Sequence, residues 1–171
     1  MNLSNIVLKQ VGEYPQIVGA NMDNKTVGVL KDLISARGGE LNSVLQYIYQ
    51  STIADITDAD LGELFEEIAI IDMEHIGLLM HAITDFGGKP TYENSNGVPF
   101  NANCVRYLDK LKEMLSLNIS ETETSIDNYH RAIEMVNNES LKQLLGHIVK
   151  NKHLRLDALK QIISTVKFLS V

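Results

Sequence analysis

Apolar residues recur at three-and-four spacing through long stretches of this chain, and the interiors of those stretches are rich in Leu, Ile, Glu and Lys. That period marks amphipathic helices built from strong helix formers. The first is predicted over residues 24–53, from Asn24 to Ile53, with Leu30, Leu33, Val44, Tyr47 and Ile48 inward. Gly38 and Gly39 interrupt it. A Gly pair costs a helix about 2 kcal/mol in total, so a bend or short break is expected before Glu40. Asp58 is read as the cap of a second helix, 58–86, which ends at Phe86 and turns Leu61, Leu64, Ile68, Ile71 and Leu79 inward. The link between these helices is short, so they are expected to be antiparallel neighbours.

The segment GGKPTYENSNGVPFNA, residues 87–102, carries Pro90, Pro99 and an Asn-Gly turn signal and has no helical period. It is read as a long connection. A third helix is predicted over 103–136 and a fourth over 139–168, separated by Asn137 and Asn138. The pattern as a whole predicts an all-α fold: a four-helix bundle of two antiparallel helical hairpins joined by a long crossover. Residues 1–171 are expected to form a single domain, with 1–23 as an N-terminal extension.

Composition narrows the setting. The chain has 171 residues, 44% of them hydrophobic, which is enough to bury one sizeable core. A formal charge of −7 disfavours nucleic acid as a partner, because phosphate binding needs clustered Lys and Arg. No stretch approaches the roughly 18 apolar residues of a membrane span, and the N-terminus lacks a long apolar run. No membrane partner and a cytoplasmic location are therefore expected. The lone Cys104 has no internal partner and is expected to pack as a small core residue.

Within the inward seams the informative positions are the polar ones. Leu33, Glu40 and Tyr47 are seven apart, which puts Glu40 on the core face of the first helix. Asp72 and His75 share the face of Ile68 and Leu79. On the third helix Leu115, Thr122 and Tyr129 are seven apart; on the fourth Leu145, Lys152 and Leu159 are, with Arg155 one turn beyond Lys152. These positions are expected to fall at similar depth and form one buried polar layer.

The strings ELNSVLQYIYQ from Glu40 and IAIIDMEHIGLL from Ile68, the GGKP that closes the second helix, and NISETETSIDNY on the third carry a resemblance. They resemble a clostridial-type group of ferritin-like, rubrerythrin-related proteins, over most of the chain beyond about residue 25. That resemblance implies a ferritin-like four-helix bundle of the diiron-carboxylate superfamily. Such proteins hold two iron or manganese ions through one Glu from each of two helices and a Glu-x-x-His pair from each of the others.

Carried over residue by residue, the resemblance makes Glu40, Asp72 and His75 residual metal-ligand positions, with Asp72 in place of the usual Glu. The third-helix Glu falls on Thr122, and the fourth-helix pair falls on Lys152 and Arg155. Cations at two ligand positions repel a metal. Glu40 and Asp72 opposite Lys152 and Arg155 sum to zero charge with His75 neutral, so the layer is expected to balance itself without metal as a degenerate site. Tyr47 and Tyr129 are read as supporting residues whose hydroxyls hydrogen-bond core carboxylates or backbone.

Other candidates carry a plainer reading. Asp127 and His130 are expected on a solvated face, since Asp127 lies roughly 140° around the helix from Thr122. Glu66 and Glu67 are read as a solvated edge, Glu123 and His153 as pointing away, and Met73, Met80, Met114 and Met135 as core gap-fillers. Glu121 flanks the third seam and is weighed as a substitute ligand.

Two functional classes follow. The first is a non-catalytic structural, binding or regulatory protein with no cofactor and with a Glu/Asp–Lys/Arg ion-pair layer in its core. The alternative is an iron- or manganese-dependent, rubrerythrin-like oxidoreductase acting on oxygen or peroxide through an altered site. A homo-oligomer, such as a dimer, is expected in either case.

Overall fold

The computed structural model describes residue 3 and residues 5–168; the remaining ends of the expected 1–171 domain lie outside the described residues. These form α1 (Asn24–Ser35), α2 (Glu40–Asp55), α3 (Ala59–Asp85), α4 (Leu111–Met135) and α5 (Glu139–Phe168), with a short 3-10 turn at Ala102–Cys104. The fold is the expected all-helical bundle. Helices α2 and α3 form one antiparallel hairpin, α4 and α5 the other, and α1 packs on α3 and α4.

Asp23 starts α1, accepting from the amides of Lys25 and Thr26 at 3.0 and 3.2 Å and from the Thr26 hydroxyl at 2.6 Å. Asp58 caps α3 through the Leu61 amide at 3.2 Å. The first predicted helix is in fact two, because the chain breaks between Ser35 and Glu40. Gly38 sits at φ +78°, the left-handed region that a side chain disfavours. At Gly39 a Cβ would meet the carbonyl oxygens of Ile34, Leu33 and Ala36 at 2.7, 2.8 and 2.9 Å. The break has a positional result: it makes Glu40 the first residue of α2, where the exposed amide dipoles favour a carboxylate.

The connection is longer than the sequence suggests, running over residues 86–110, and the helix expected from 103 begins only at Leu111. Gln46, buried on α2, explains the delay. Its side-chain amide donates to the Arg106 carbonyl and accepts from the Arg106 amide, both at 2.8 Å, and so holds this stretch extended. Farther back, the Lys31–Glu93 pair at 2.5 Å and the Ser95 amide on Asp32 at 2.8 Å fasten the crossover to α1. Helix α2 buries Gln46 against the crossover and Gln50 against Asn118 of α4, which donates to it at 2.6 Å, while Ile48, expected inward, is 45% exposed.

Two apolar clusters make up the core. One contains Leu30, Leu33, Ile34, Leu79, Ile83, Leu145 and Ile148, the other Leu61, Leu64, Phe65, Ile68, Leu115, Leu159 and Ile162. Met114 fills the second and Met80 packs on the first, but Met73 and Met135 are each 46% exposed and fill nothing. Cys104 is also not a core residue; it sits half-buried in the 3-10 turn with its thiol on the Asn101 carbonyl. The N-terminal extension lies along the bundle, with Leu8 in the second cluster and the Tyr14 ring tilted against His147 at 4.6 Å between ring centres.

Gly39→Ala should lower unfolding stability by about 1–3 kcal/mol, since the added methyl must displace backbone carbonyls. Chemical denaturation measures it; an unchanged midpoint would show that the break does not depend on this glycine.

Candidate functional site

Between the two apolar clusters lies a charged layer. Glu40 comes from α2, Asp72 and His75 from α3, and Lys152 and Arg155 from α5, and none of the five is more than 3% exposed. Lys152 Nζ is 2.8 Å from Glu40 Oε1 and 3.7 Å from Asp72 Oδ1. Arg155 donates to Asp72 Oδ1, and Ser43 donates to Asp72 Oδ2 at 2.5 Å. Burial by itself would raise the Asp72 carboxyl, but Arg155 and Lys152 outweigh it and hold the group well below the usual carboxylate range. Asp72 in turn raises Arg155 against the opposing effect of burial.

Tyr129 on α4 donates its hydroxyl to Glu40 Oε1 at 2.5 Å, and Lys152 Nζ lies 5.2 Å from its ring centre. Burial and the adjacent Glu40 raise that phenol well above its ordinary value, so it stays a donor. Tyr47 behaves otherwise. Its hydroxyl is buried beside that of Thr122, and what it offers the charged layer is its ring face, 5.5 Å from the Arg155 guanidinium carbon. Thr122 is buried nearby but donates to the Asn118 carbonyl at 2.7 Å, a bond within its own helix, and so takes no part in the ion pairs. Glu121 lies half-buried outside the layer, and Asp127, His130, Glu66, Glu67, Glu123 and His153 are exposed.

His75 is set by residues that sequence periodicity did not mark. Asn151 on α5 accepts from the Gln10 amide at 2.8 Å through its carbonyl oxygen, which turns its NH₂ toward His75 Nε2 at 3.2 Å and the Tyr14 hydroxyl at 3.0 Å. With Nε2 accepting, the ring hydrogen belongs on Nδ1, which faces Asp72 Oδ1 at 3.5 Å and Glu40 Oε2 at 3.7 Å. Among the described residues neither His75 Nδ1 nor Glu40 Oε2 makes a well-aligned hydrogen bond. Asn151 stands one position before Lys152 on a strongly polar stretch, and that run, NKHLR, is the signal that could have pointed to it.

The ferritin-like domain model matches residues 30–169. The chain belongs to the ferritin-like family. Among solved structures, this ferritin-like chain is similar to KatB, a manganese catalase from Anabaena, with a TM-score of 0.83 and 17% identity over 92% of this chain and 80% of that one. It is also similar to the bacterioferritin of Desulfovibrio desulfuricans, described with its diiron site (TM-score 0.71, 21% identity, 85% and 81% covered). A third similar structure is Rhodobacter capsulatus bacterioferritin with a metal-free dinuclear site (TM-score 0.75, 19% identity, 87% and 89% covered). No curated protein sequence matches the chain.

For a ferritin-like interior the donor set is mixed. Ligand atoms of Glu40, Asp72 and His75 lie within 4.8 Å of one another, as a metal-binding triad requires. The same carboxylates are at bonding distance from Lys152 and Arg155. Thr122, Lys152 and Arg155 bring no carboxylate or imidazole to the layer, so its metal-ligand donors among the described residues are those of Glu40, Asp72 and His75.

Lys152→Ala should cost about 3–5 kcal/mol of unfolding stability, because it strands Glu40 without a counter-charge. A loss near that of an exposed ion pair, below about 1 kcal/mol, would contradict the burial. The Asp72 contribution should be complete above about pH 5, where an unfolded aspartate is almost fully ionised, and should be lost as pH falls through about 4 toward the lower folded-state value. Acid titration of stability should therefore be steeper below about pH 4 in the wild type than in Asp72→Asn.

Proposed function

We propose that this ferritin-like protein is a non-catalytic structural, binding or regulatory member of its family, in which a Glu/Asp–Lys/Arg layer stands in place of a dinuclear metal centre. The observation that carries this reading is the position of the Lys152 ammonium, 2.8 Å from Glu40 and 3.7 Å from Asp72, among the carboxylates a metal would need. An ammonium there supplies the positive charge that buried carboxylates require, and Arg155 neutralises Asp72 directly. On this reading Glu40, Asp72 and His75 are residual ligand positions and Tyr129 and Tyr47 support the charged groups.

One observation favours a second reading. The triad of Glu40, Asp72 and His75, in which neither Glu40 Oε2 nor His75 Nδ1 makes a well-aligned hydrogen bond among the described residues, is the donor set of a site for a single iron or manganese ion. An oxidoreductase of that kind, acting on oxygen or peroxide, needs Lys152 to leave the carboxylates first. Glu121, half-buried on α4 beside Thr122, is then the substitute ligand to test. In either case we propose a cytoplasmic homo-oligomer, such as a dimer, with no nucleic acid or membrane partner. Ile70 and Met73, exposed one turn apart on α3, are apolar surface that a second copy would cover. Among the described residues no helix is long and apolar enough to cross a membrane.

Elemental analysis of protein purified without chelator, after growth with added iron and manganese, separates the readings. Far less than one ion per chain is expected. Stoichiometric metal that disappears in Glu40→Gln and His75→Ala would overturn the proposal and support the single-ion enzyme. As a complementary test, Asp72→Glu, Thr122→Glu, Lys152→Glu and Arg155→His are combined to restore four carboxylates and two imidazoles. That variant should be less stable without metal, because clustered carboxylates repel, and should regain melting temperature with ferrous or manganous ions. The wild type should gain little. A folded variant indifferent to both metals would show that these positions do not share one site.

A further inference from the structure

Away from the charged layer, the α1–α2 break, the crossover and α4 meet in a half-open cleft of about 820 Å³. It is large enough for a small organic molecule. Its lining is unlike the core. Arg37, just past α1, and Arg106, on the crossover, both border it, and neither guanidinium has a hydrogen bond or ion pair among the described residues. The side chain of Arg106 is unused because the crossover is held through its backbone, by Gln46. Glu121 also borders the cleft, so the lining holds two guanidinium groups against one carboxyl, which burial raises and the two arginines lower.

Polar groups below the rim lack partners as well. Ser35 and Asn42 are 8% and 3% exposed, and the Ser35 hydroxyl and the Asn42 carbonyl oxygen are buried without a hydrogen bond. Both border the cleft, with the carboxamides of Asn94, Asn101 and Asn128. Buried polar atoms are ordinarily satisfied, so these two leave the layer beneath the cleft incompletely bonded. Phe100 adds a flat apolar wall, and beyond Asn42 a cavity of about 10 Å³, room for one water, leads on to Tyr47 and Arg155.

We infer that this cleft binds a small hydroxylated molecule carrying one oxyanion, such as a sugar phosphate or sugar acid, with Arg37 and Arg106 on the anion and the carboxamides of Asn94, Asn101 and Asn128 on hydroxyls. Guanidinium forks suit a phosphate or carboxylate, a carboxamide NH₂ whose oxygen is already engaged donates to a hydroxyl, and an aromatic face covers the apolar side of a small ring. The inference stands apart from the metal content of the interior, since neither Arg37, Arg106, Ser35 nor Phe100 belongs to the charged layer.

Titration calorimetry of the full chain with ribose 5-phosphate tests it. Saturable binding is expected, with ribose and inorganic phosphate each at least about tenfold weaker, because each offers only half of the contacts. Arg37→Ala and Arg106→Ala should each weaken binding about tenfold, the loss of a charge-assisted hydrogen bond. Both should leave the melting temperature unchanged, since these side chains are exposed and unpaired. Lys150→Ala, at an exposed lysine on α5 outside the cleft, should bind like the wild type. No saturable heat, equal binding of inorganic phosphate, or equal weakening by Lys150→Ala would overturn the proposal.

Discussion

A carboxylate survives in the interior of a helix bundle only where positive charge sits at bonding distance, and for Glu40 that charge is Lys152. The rest of the layer is arranged around this pair. Tyr129 occupies the same carboxylate oxygen from the opposite hairpin, so Glu40 ties α2 to both α4 and α5. Arg155 and Ser43 complete Asp72, and the two apolar clusters pack above and below. The two hairpins are thus joined across the bundle's middle by polar contacts whose geometry is directional, where an apolar layer would have tolerated sliding.

The break between α1 and α2 belongs to the same constraint. A continuous helix would carry Glu40 mid-helix, with its backbone amide bonded and no helix dipole to meet the carboxylate. By ending α1 at Ser35 and restarting at Glu40, the chain gives that buried acid an N-terminal position and opens the floor of the adjoining cleft at Gly38 and Asn42. The extension works on the other side of the layer. Its Gln10 amide orients Asn151, and Asn151 orients His75, so a residue remote in sequence determines which imidazole nitrogen faces the carboxylates.

Much of this architecture was legible in the spacing of apolar residues, because long helices repeat one periodic signal many times over. The α3 and α5 seams, with Asp72, His75, Lys152 and Arg155 interrupting them, are of that kind. The start of α4 was not legible, since what decides it is an irregular segment lying across α2, and periodicity carries no information about which face a loop will cover. Thr122 was located at the right depth but not given the right bond, because a hydroxyl has its own helix carbonyl as a competing acceptor. Ser43, Asn151 and Tyr14 were missed for a related reason: small polar residues on helices and residues of an aperiodic extension look alike whether they face water or a buried charge.

The grip of Gln46 on Arg106 is a side-chain amide imitating a peptide group, so a single rung of sheet-like pairing is made between a helix and a loop. Such a clasp reads only main-chain atoms and is blind to the residue it holds. Position 106 is therefore anchored in space while its side chain is relieved of any architectural duty, which leaves that position free to change in chemistry without loosening the crossover.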